Sequence, residues 1–315
     1  MNTLNSLQAG RAIAALMVVV HHANIATAAF VGPVPTRAAS IFDLGYLGVD
    51  FFFVLSGFII YYTTAGLEPT AASTAAFARK RLTRIFVPYW PIGVGLAVAY
   101  MAMAGLSASN RSWGWFATLT LLPSWNPPAL SVAWTLQHEL VFYALFGVMF
   151  YTRAILPLTV VWAAAILSAA VLRVGLDGPL KFLVAPINLE FIMGIATAFL
   201  VTSPRKLPTL LLTCGVILPL AAFFALGATR DISPLVGLAV AFVVFVVCRM
   251  EMGRRVSIAV IFVLLGDASY AIYLIHTPLL SLFLRLMREF PRSRPGRWRS
   301  CWRPFSARSP ALHIT

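Results

Sequence analysis

The stretch LQAGRAIAALMVVVHHA, residues 7–23, decides the fold. It is an apolar run without proline, with a cation near one end and two histidines at the other. Arg11 and His22 stand eleven residues apart. At 100° per residue that is three turns with ~20° left over, so both side chains share one helical face, ~16 Å apart along the axis. With Arg11 at a membrane surface, His22 lies past the middle of the hydrocarbon layer, where an ionisable group is costly and usually functional.

The composition agrees with a bilayer environment. Of 315 residues, 60% are hydrophobic and only 11% charged. A water-soluble domain carries about 25% charged residues. A secretory signal would share the first cation and apolar run, but the internal histidines and the many apolar runs that follow favour a retained first helix. The fold class read from this pattern is all-α, a polytopic integral membrane protein with about nine to ten transmembrane helices. Clear spans are expected near residues 11–30, 44–64, 85–105, 132–151, 154–172, 180–201, 207–226, 233–248 and 268–287, with a half-length apolar piece at 256–265. Residues 107–131, rich in tryptophan and proline, suit a short interfacial or re-entrant helix.

The formal charge of +14 does not indicate nucleic acid. Eight arginines crowd residues 285–308, and most of the other cations flank apolar runs. Placing Arg11 in the cytoplasm puts the clusters at Arg79–Arg84, Arg153, Arg205–Lys206 and Arg249–Arg255 inside, as the positive-inside rule requires. Residues 288–315 break that pattern and form a separate basic tail after a membrane domain at 1–287. The three cysteines, Cys214, Cys248 and Cys301, show no metal spacing.

Counting depth along the spans brings His22, Asp50 and Glu139 to similar levels in the outer half of the membrane. His22 suits a general base, because its reference pKa lies near neutrality. Asp50 or Glu139 would orient its ring, or would only tie helices together. No ligand spacing supports a metal site from His22, His138 and Glu139. Tyr143 lies one turn from Glu139 on the same face. Ser56 and Gly57 permit close approach of a ligand, or of another helix. His276, placed near the inner half of the last span, is a candidate ligand contact or a helix-packing residue. Arg81 and Arg84, three residues apart, suit bidentate phosphate binding, or positive-inside anchoring.

Five stretches taken in order resemble the acyltransferase 3 family of membrane proteins. These are LQAGRAIAALMVVVHHA, with an arginine and a histidine separated by ten intervening residues; GVDFFFVLSGFII at 48–60; RKRLTRIFVPYW at 79–90, with Arg-x-x-Arg; WTLQHELVFY at 134–143; and LGDASYAIYLIHTP at 265–278. The wording is similar to that of the exopolysaccharide production branch. The resemblance covers about residues 7–284. It implies a fold of about ten membrane helices that moves acyl groups, often acetyl, onto extracytoplasmic glycans. It implies that Arg11 and His22 are the essential pair of the first helix, that Arg81 and Arg84 serve the acyl-CoA end, and that Glu139 is the acidic site residue. Gly10 stands where a bulkier apolar residue is usual. The arginine-rich tail stands where the family continues with a further helix.

The resulting expectation is a multi-pass inner-membrane O-acyltransferase with a cytoplasmic N-terminus. Its donor would be acyl-CoA, expected as acetyl-CoA, and its acceptor a sugar hydroxyl of an exopolysaccharide or lipid-linked glycan. The catalytic set would be His22, Arg11, Glu139 and Asp50. Arg81 and Arg84 would bind the donor, and Tyr143, Ser56, Gly57 and His276 the substrate. No bound cofactor or metal is expected, the partners are membrane lipid, acyl-CoA and a glycan, and no nucleic acid is expected. The rivals are a proton-coupled transporter or flippase using the buried histidine and carboxylates as a relay, and a non-catalytic scaffold of a polysaccharide export complex.

Overall fold

The computed structural model describes residues 4–32, 34–102 and 112–289. The basic tail from 290 onward therefore lies outside the described residues, as does the first part of the 107–131 segment. Among the described residues every regular element is helical. Seven helices or helical series are long and apolar enough to cross a membrane, and two shorter apolar helices accompany them. The chain is a polytopic membrane protein.

The helix of the opening stretch, α1, spans Asn5–Phe30. Its first backbone amides need acceptors from outside the helix. The Glu251 carboxylate supplies them, taking hydrogen bonds from the amides of Asn5 at 2.8 Å and Ser6 at 3.0 Å. Helix α2 (Thr36–Asp43), a 3-10 turn (Leu44–Leu47) and α3 (Gly48–Thr64) run in series and form the second crossing. Glycines set the contact with α1. A Cβ at Gly48 would meet the carbonyl of Ala14, and one at Gly45 that of Met17.

The third crossing is longer than the apolar run alone suggested. Helix α4 is continuous over Ala71–Ala102, so Arg79 to Arg84 belong to a helix and not to a loop. Pro88 and Pro91 lie within it. Lipid-embedded helices tolerate prolines where neighbours satisfy the backbone. The short helix α5 (Trp115–Thr120) is tied to α4 by Tyr89, whose hydroxyl donates to the Thr118 carbonyl at 2.9 Å, and by Trp90, whose indole donates to the Leu119 carbonyl at 2.9 Å. The chain then dips into the protein. Leu121, Leu130 and Ala133 are fully buried before α6 (Trp134–Tyr151) begins.

Helix α7 spans Ile155–Val171. The sixth crossing is broken. Helix α8 (Lys181–Val184) ends at Ala185, which is extended before Pro186. Helix α9 then runs Asn188–Thr202. The buried Asn188 amide repairs the break by donating to the Phe182 carbonyl at 2.7 Å, and its oxygen pairs with His138 Nδ1 at 3.0 Å. Helices α10 (Thr209–Ala225) and α11 (Pro234–Met252) follow. The half-length piece and the last span are one helix, α12, over Val260–Glu289. It packs along α1, with Gly266 against the Gln8 backbone. The core is aromatic, with Phe53, Phe142 and Phe191 stacked at 4.5 and 4.3 Å between ring centres.

Candidate active site

Between α1, α3, α4, α6 and α12 the helices enclose a chain of connected cavities. The widest, a cavity of about 530 Å³, opens at the Arg11 end of the molecule. Lys80, Arg81, Arg84 and Arg11 line it, with Asp267 opposite. A narrower chamber shares Arg11, Arg81 and Arg84 with it and adds Ser56, Glu139 and Tyr143. A third continues past Ser56 and Glu139 to Thr135, Tyr270 and Tyr273.

Each cation at the wide end is held differently. Arg11 is 8% exposed, and its guanidinium donates to Gln8 Oε1 at 3.1 Å, while Gln8 donates to Asp267 Oδ1 at 2.7 Å. Arg81 is buried. It donates to Thr63 Oγ1 at 3.2 Å and lies over the rings of Phe77 and Tyr143, while its Nε has no hydrogen-bond partner among the described residues. Arg84 is exposed to the cavity. Glu139 is the acidic counterweight. It accepts from the Tyr143 hydroxyl, in a short contact, and from Ser56 Oγ at 3.4 Å. The cluster is net cationic in a low-dielectric wall, a setting that favours a polyanionic ligand.

Aromatic side chains bound the innermost chamber, and a histidine pair lies behind them. Tyr273 closes the inner chamber, its hydroxyl paired with Thr135 Oγ1 at 2.8 Å. Its ring centre lies 5.7 Å from that of His276, and His276 Nε2 is 3.2 Å from His22 Nδ1. His21, 6% exposed, follows on α1 with its ring 5.2 Å from His22. Beyond it lies a polar rim. Asp43 is 3.8 Å from His21 and accepts from Asn24 at 2.9 Å. The Arg230 guanidinium stacks over the Tyr46 ring at 5.1 Å.

Several residues fall elsewhere than expected. His22, Asp50 and Glu139 occupy three separate environments. Glu139 sits at the Arg11 end because the chain has already entered the protein before α6 starts, so counting from a surface at Val132 places it too high. Asp50, 2% exposed, turns away from His22. Gly48 faces α1, and two residues further on, at 100° each, the helix presents its opposite side. Asp50 there meets Glu190 and Ser233. Glu190 is fully buried, and its carboxyl group hydrogen-bonds that of Asp50. Gly57 packs against α9. A Cβ there would meet the Phe191 carbonyl, and one at Gly194 the Val54 carbonyl, so α3 and α9 touch through small residues.

His276 lies beside His22 and not at the Arg11 end of the bundle. Helix α12 begins at Val260, eight residues before the expected start, which carries His276 up to the level of His22. His138 faces Asn188, away from Glu139, and among the described residues no three His, Cys, Asp or Glu side chains form a metal-binding group. Glu190, Asp267, Lys80, Tyr270 and Tyr273 were missed. An acidic residue inside the sixth apolar run was the signal for Glu190, and a tyrosine one turn before His276 the signal for Tyr273.

Residues 4–306 match the family model described as an acyltransferase domain. The chain is 31% identical over 251 residues to the exopolysaccharide production protein ExoZ of Rhizobium meliloti, covering 75% of this chain and 77% of that protein. It is 27% identical over 291 residues to the acyltransferase MdmB of Streptomyces mycarofaciens, covering 81% and 73% respectively. No solved structure matches it significantly.

Proposed function

The chain belongs to the acyltransferase 3 family and is a membrane acyltransferase, and on that premise we propose that it moves an acetyl group from cytoplasmic acetyl-CoA to a sugar hydroxyl on the other side of the inner membrane. The acceptor in this reading is an exopolysaccharide or its lipid-linked precursor. The relative named for exopolysaccharide production supports that choice. The N-terminus and the wide cavity then face the cytoplasm.

The observation that carries the reading is the continuity of the passage. Arg11 and Arg84 are shared by the cationic vestibule and both inner chambers, and the innermost chamber reaches Tyr273, whose ring neighbours His276. A donor with a phosphate-rich end and a slender thioester arm fits a wide cationic mouth that narrows towards a base. In this reading Lys80, Arg81 and Arg84 hold phosphates, and Ser56, Glu139 and Tyr143 line the path of the arm. His22 takes the proton of the acceptor hydroxyl while its oxygen forms a bond to the thioester carbon. The C–S bond breaks, and the proton goes to the leaving sulfur. A hydroxyl is a weak nucleophile, and such a base contributes roughly 100- to 10,000-fold.

Glycan mass analysis tests this directly. A strain lacking the gene should lose acyl groups from its exopolysaccharide. The wild-type chain should restore them and His22→Ala should not. Proton-coupled flux of a glycan precursor without release of CoA would favour a transporter instead.

A further inference from the structure

The two facing histidines share a hydrogen-bond pattern that leaves one assignment of their hydrogens. His276 Nδ1 lies 2.6 Å from the Tyr273 carbonyl, one helical turn earlier. His22 Nδ1 lies 3.0 Å from the Val18 carbonyl, also one turn earlier. A carbonyl oxygen only accepts, so Nδ1 of each ring carries a hydrogen. With Nδ1 protonated, the neutral His276 ring offers a lone pair at Nε2. That lone pair faces His22 Nδ1 at 3.2 Å, so the His22 hydrogen is shared between Val18 O and His276 Nε2. The rings meet edge to face, with centres 4.9 Å apart. His22 Nε2 is then the bare nitrogen and has no hydrogen-bond partner among the described residues.

We propose that His276 is a positioning residue, which holds His22 in the Nδ1–H form and turns its Nε2 lone pair towards the acceptor hydroxyl. The proposal rests on the acyl-transfer reading above. The chain runs from the Tyr273 carbonyl through His276 and His22 to the reacting proton. When Nε2 takes the hydroxyl proton, the cation on His22 keeps its Nδ1–H bonded to His276 Nε2 and Val18 O. The acyl carbon gains the acceptor oxygen and loses sulfur, and Nε2 returns the proton to that sulfur. A hydrogen bond to a charged partner is stronger than one to a neutral partner, so His276 stabilises the charged intermediate more than the resting enzyme. Preferential stabilisation of that kind raises kcat without tightening substrate binding. The fold keeps the two rings in register through the α1–α12 contact, where Gly266 meets Gln8 and Gln8 bonds Asp267.

Two variants and two measurements test this. His276→Gln keeps an acceptor where Nε2 stood. His276→Leu fills the volume without one. CoA thiol release from acetyl-CoA, with the deacylated exopolysaccharide of the deletion strain as acceptor, gives kcat and KM. Nitrogen-15 NMR of histidine-labelled full-length protein, with His22 assigned by difference from His22→Gln, gives the ring form. Wild-type His22 should be in the Nδ1–H form. His276→Leu leaves only the Val18 carbonyl to hold that hydrogen, so it should reduce the population of the Nδ1–H form and lower kcat about 100-fold, the low end of what a positioned base supplies, with KM for acetyl-CoA within about twofold. His276→Gln should recover about tenfold of the loss, since it restores one acceptor. An Nε2–H form of His22 in the wild type, an unchanged kcat in His276→Leu, or an effect on KM alone would each overturn the proposal. Absence of CoA release by the wild type would remove the acyl-transfer reading, and the ring form measured by NMR would still decide the assignment.

Discussion

Tyr143 donates its hydroxyl hydrogen to Glu139, one turn earlier on α6, while its ring lies under the Arg81 guanidinium. One side chain thus couples the acidic and basic halves of the cavity wall. A hydrogen bond to a charged acceptor contributes about 1.5–3 kcal/mol, roughly 10- to 150-fold. Tyr143→Phe keeps the ring under Arg81 and removes the hydrogen bond. It should lower acyl transfer about tenfold, with little change in melting temperature. Tyr143→Ala removes both contacts and should lower both quantities. Acyl-transfer rates and thermal melts of the purified variants separate the two effects.

Arg81 and Arg84 should respond differently although both are assigned to the donor phosphates. Arg84 is exposed to the cavity, so Arg84→Ala should weaken acetyl-CoA binding with membrane abundance unchanged. Arg81 is buried against Thr63, Phe77 and Tyr143, so Arg81→Ala should reduce abundance as well. Loss of one charged contact corresponds to roughly 10- to 150-fold in affinity. Lysine at either position should recover less than the charge alone predicts, because it lacks the planar fork. Equilibrium binding of acetyl-CoA, with immunoblots of membrane fractions, checks both statements.

The close contact of α3 and α9 makes Gly57 and Gly194 sensitive to size alone. Gly57→Ala would press a methyl group into the Phe191 carbonyl. Overpacking of this kind costs about 1–3 kcal/mol, and more where backbone must move. The expected outcome is a lower melting temperature and less protein in the membrane, with near-normal kcat in the fraction that folds. A selective fall in kcat at normal stability would return Gly57 to the substrate site.

The helices and the first-helix pair were legible because apolar length and a 3.6-residue period act locally. Arg11 and His22 share a face by arithmetic; in the structure Arg11 lines the passage and His22 meets His276 of α12. The Arg81–Arg84 spacing was legible for the same reason. Glu139 and Asp50 were misplaced because depth depends on where a helix begins, and on which side meets a neighbour. The burial of Ala129, Leu130, Val132 and Ala133 shifted the first, and Gly48 against Ala14 set the second. His276 was placed too low because apolar counting divided α12 into two pieces. Its partnership with His22 joins residues 254 positions apart, which no local pattern reports.

Asp50 and Glu190 form a buried acidic pair that links α3 to α9, next to Ser233 at the start of α11. Neither lines the passage. Asp50→Asn and Glu190→Gln retain polar atoms of similar size, so each should preserve acyl transfer to within about threefold. Asp50→Leu and Glu190→Leu should lower stability, because the remaining buried carboxyl group loses its neighbour, at about 1–3 kcal/mol. Glycan acylation and melting temperature measure the two outcomes. Loss of acylation in Asp50→Asn at normal stability would place Asp50 back among the catalytic groups.

The most direct test of the central claim is the acyl content of exopolysaccharide from the deletion strain carrying His22→Gln at wild-type membrane abundance. Glutamine is polar and close in size to histidine but cannot act as a base. A base at His22 predicts acylation at or below about one hundredth of the wild-type level. Acylation near the wild-type level would show that His22 only ties α1 to α12, and would contradict the assignment of this passage as the site of acyl transfer through that histidine.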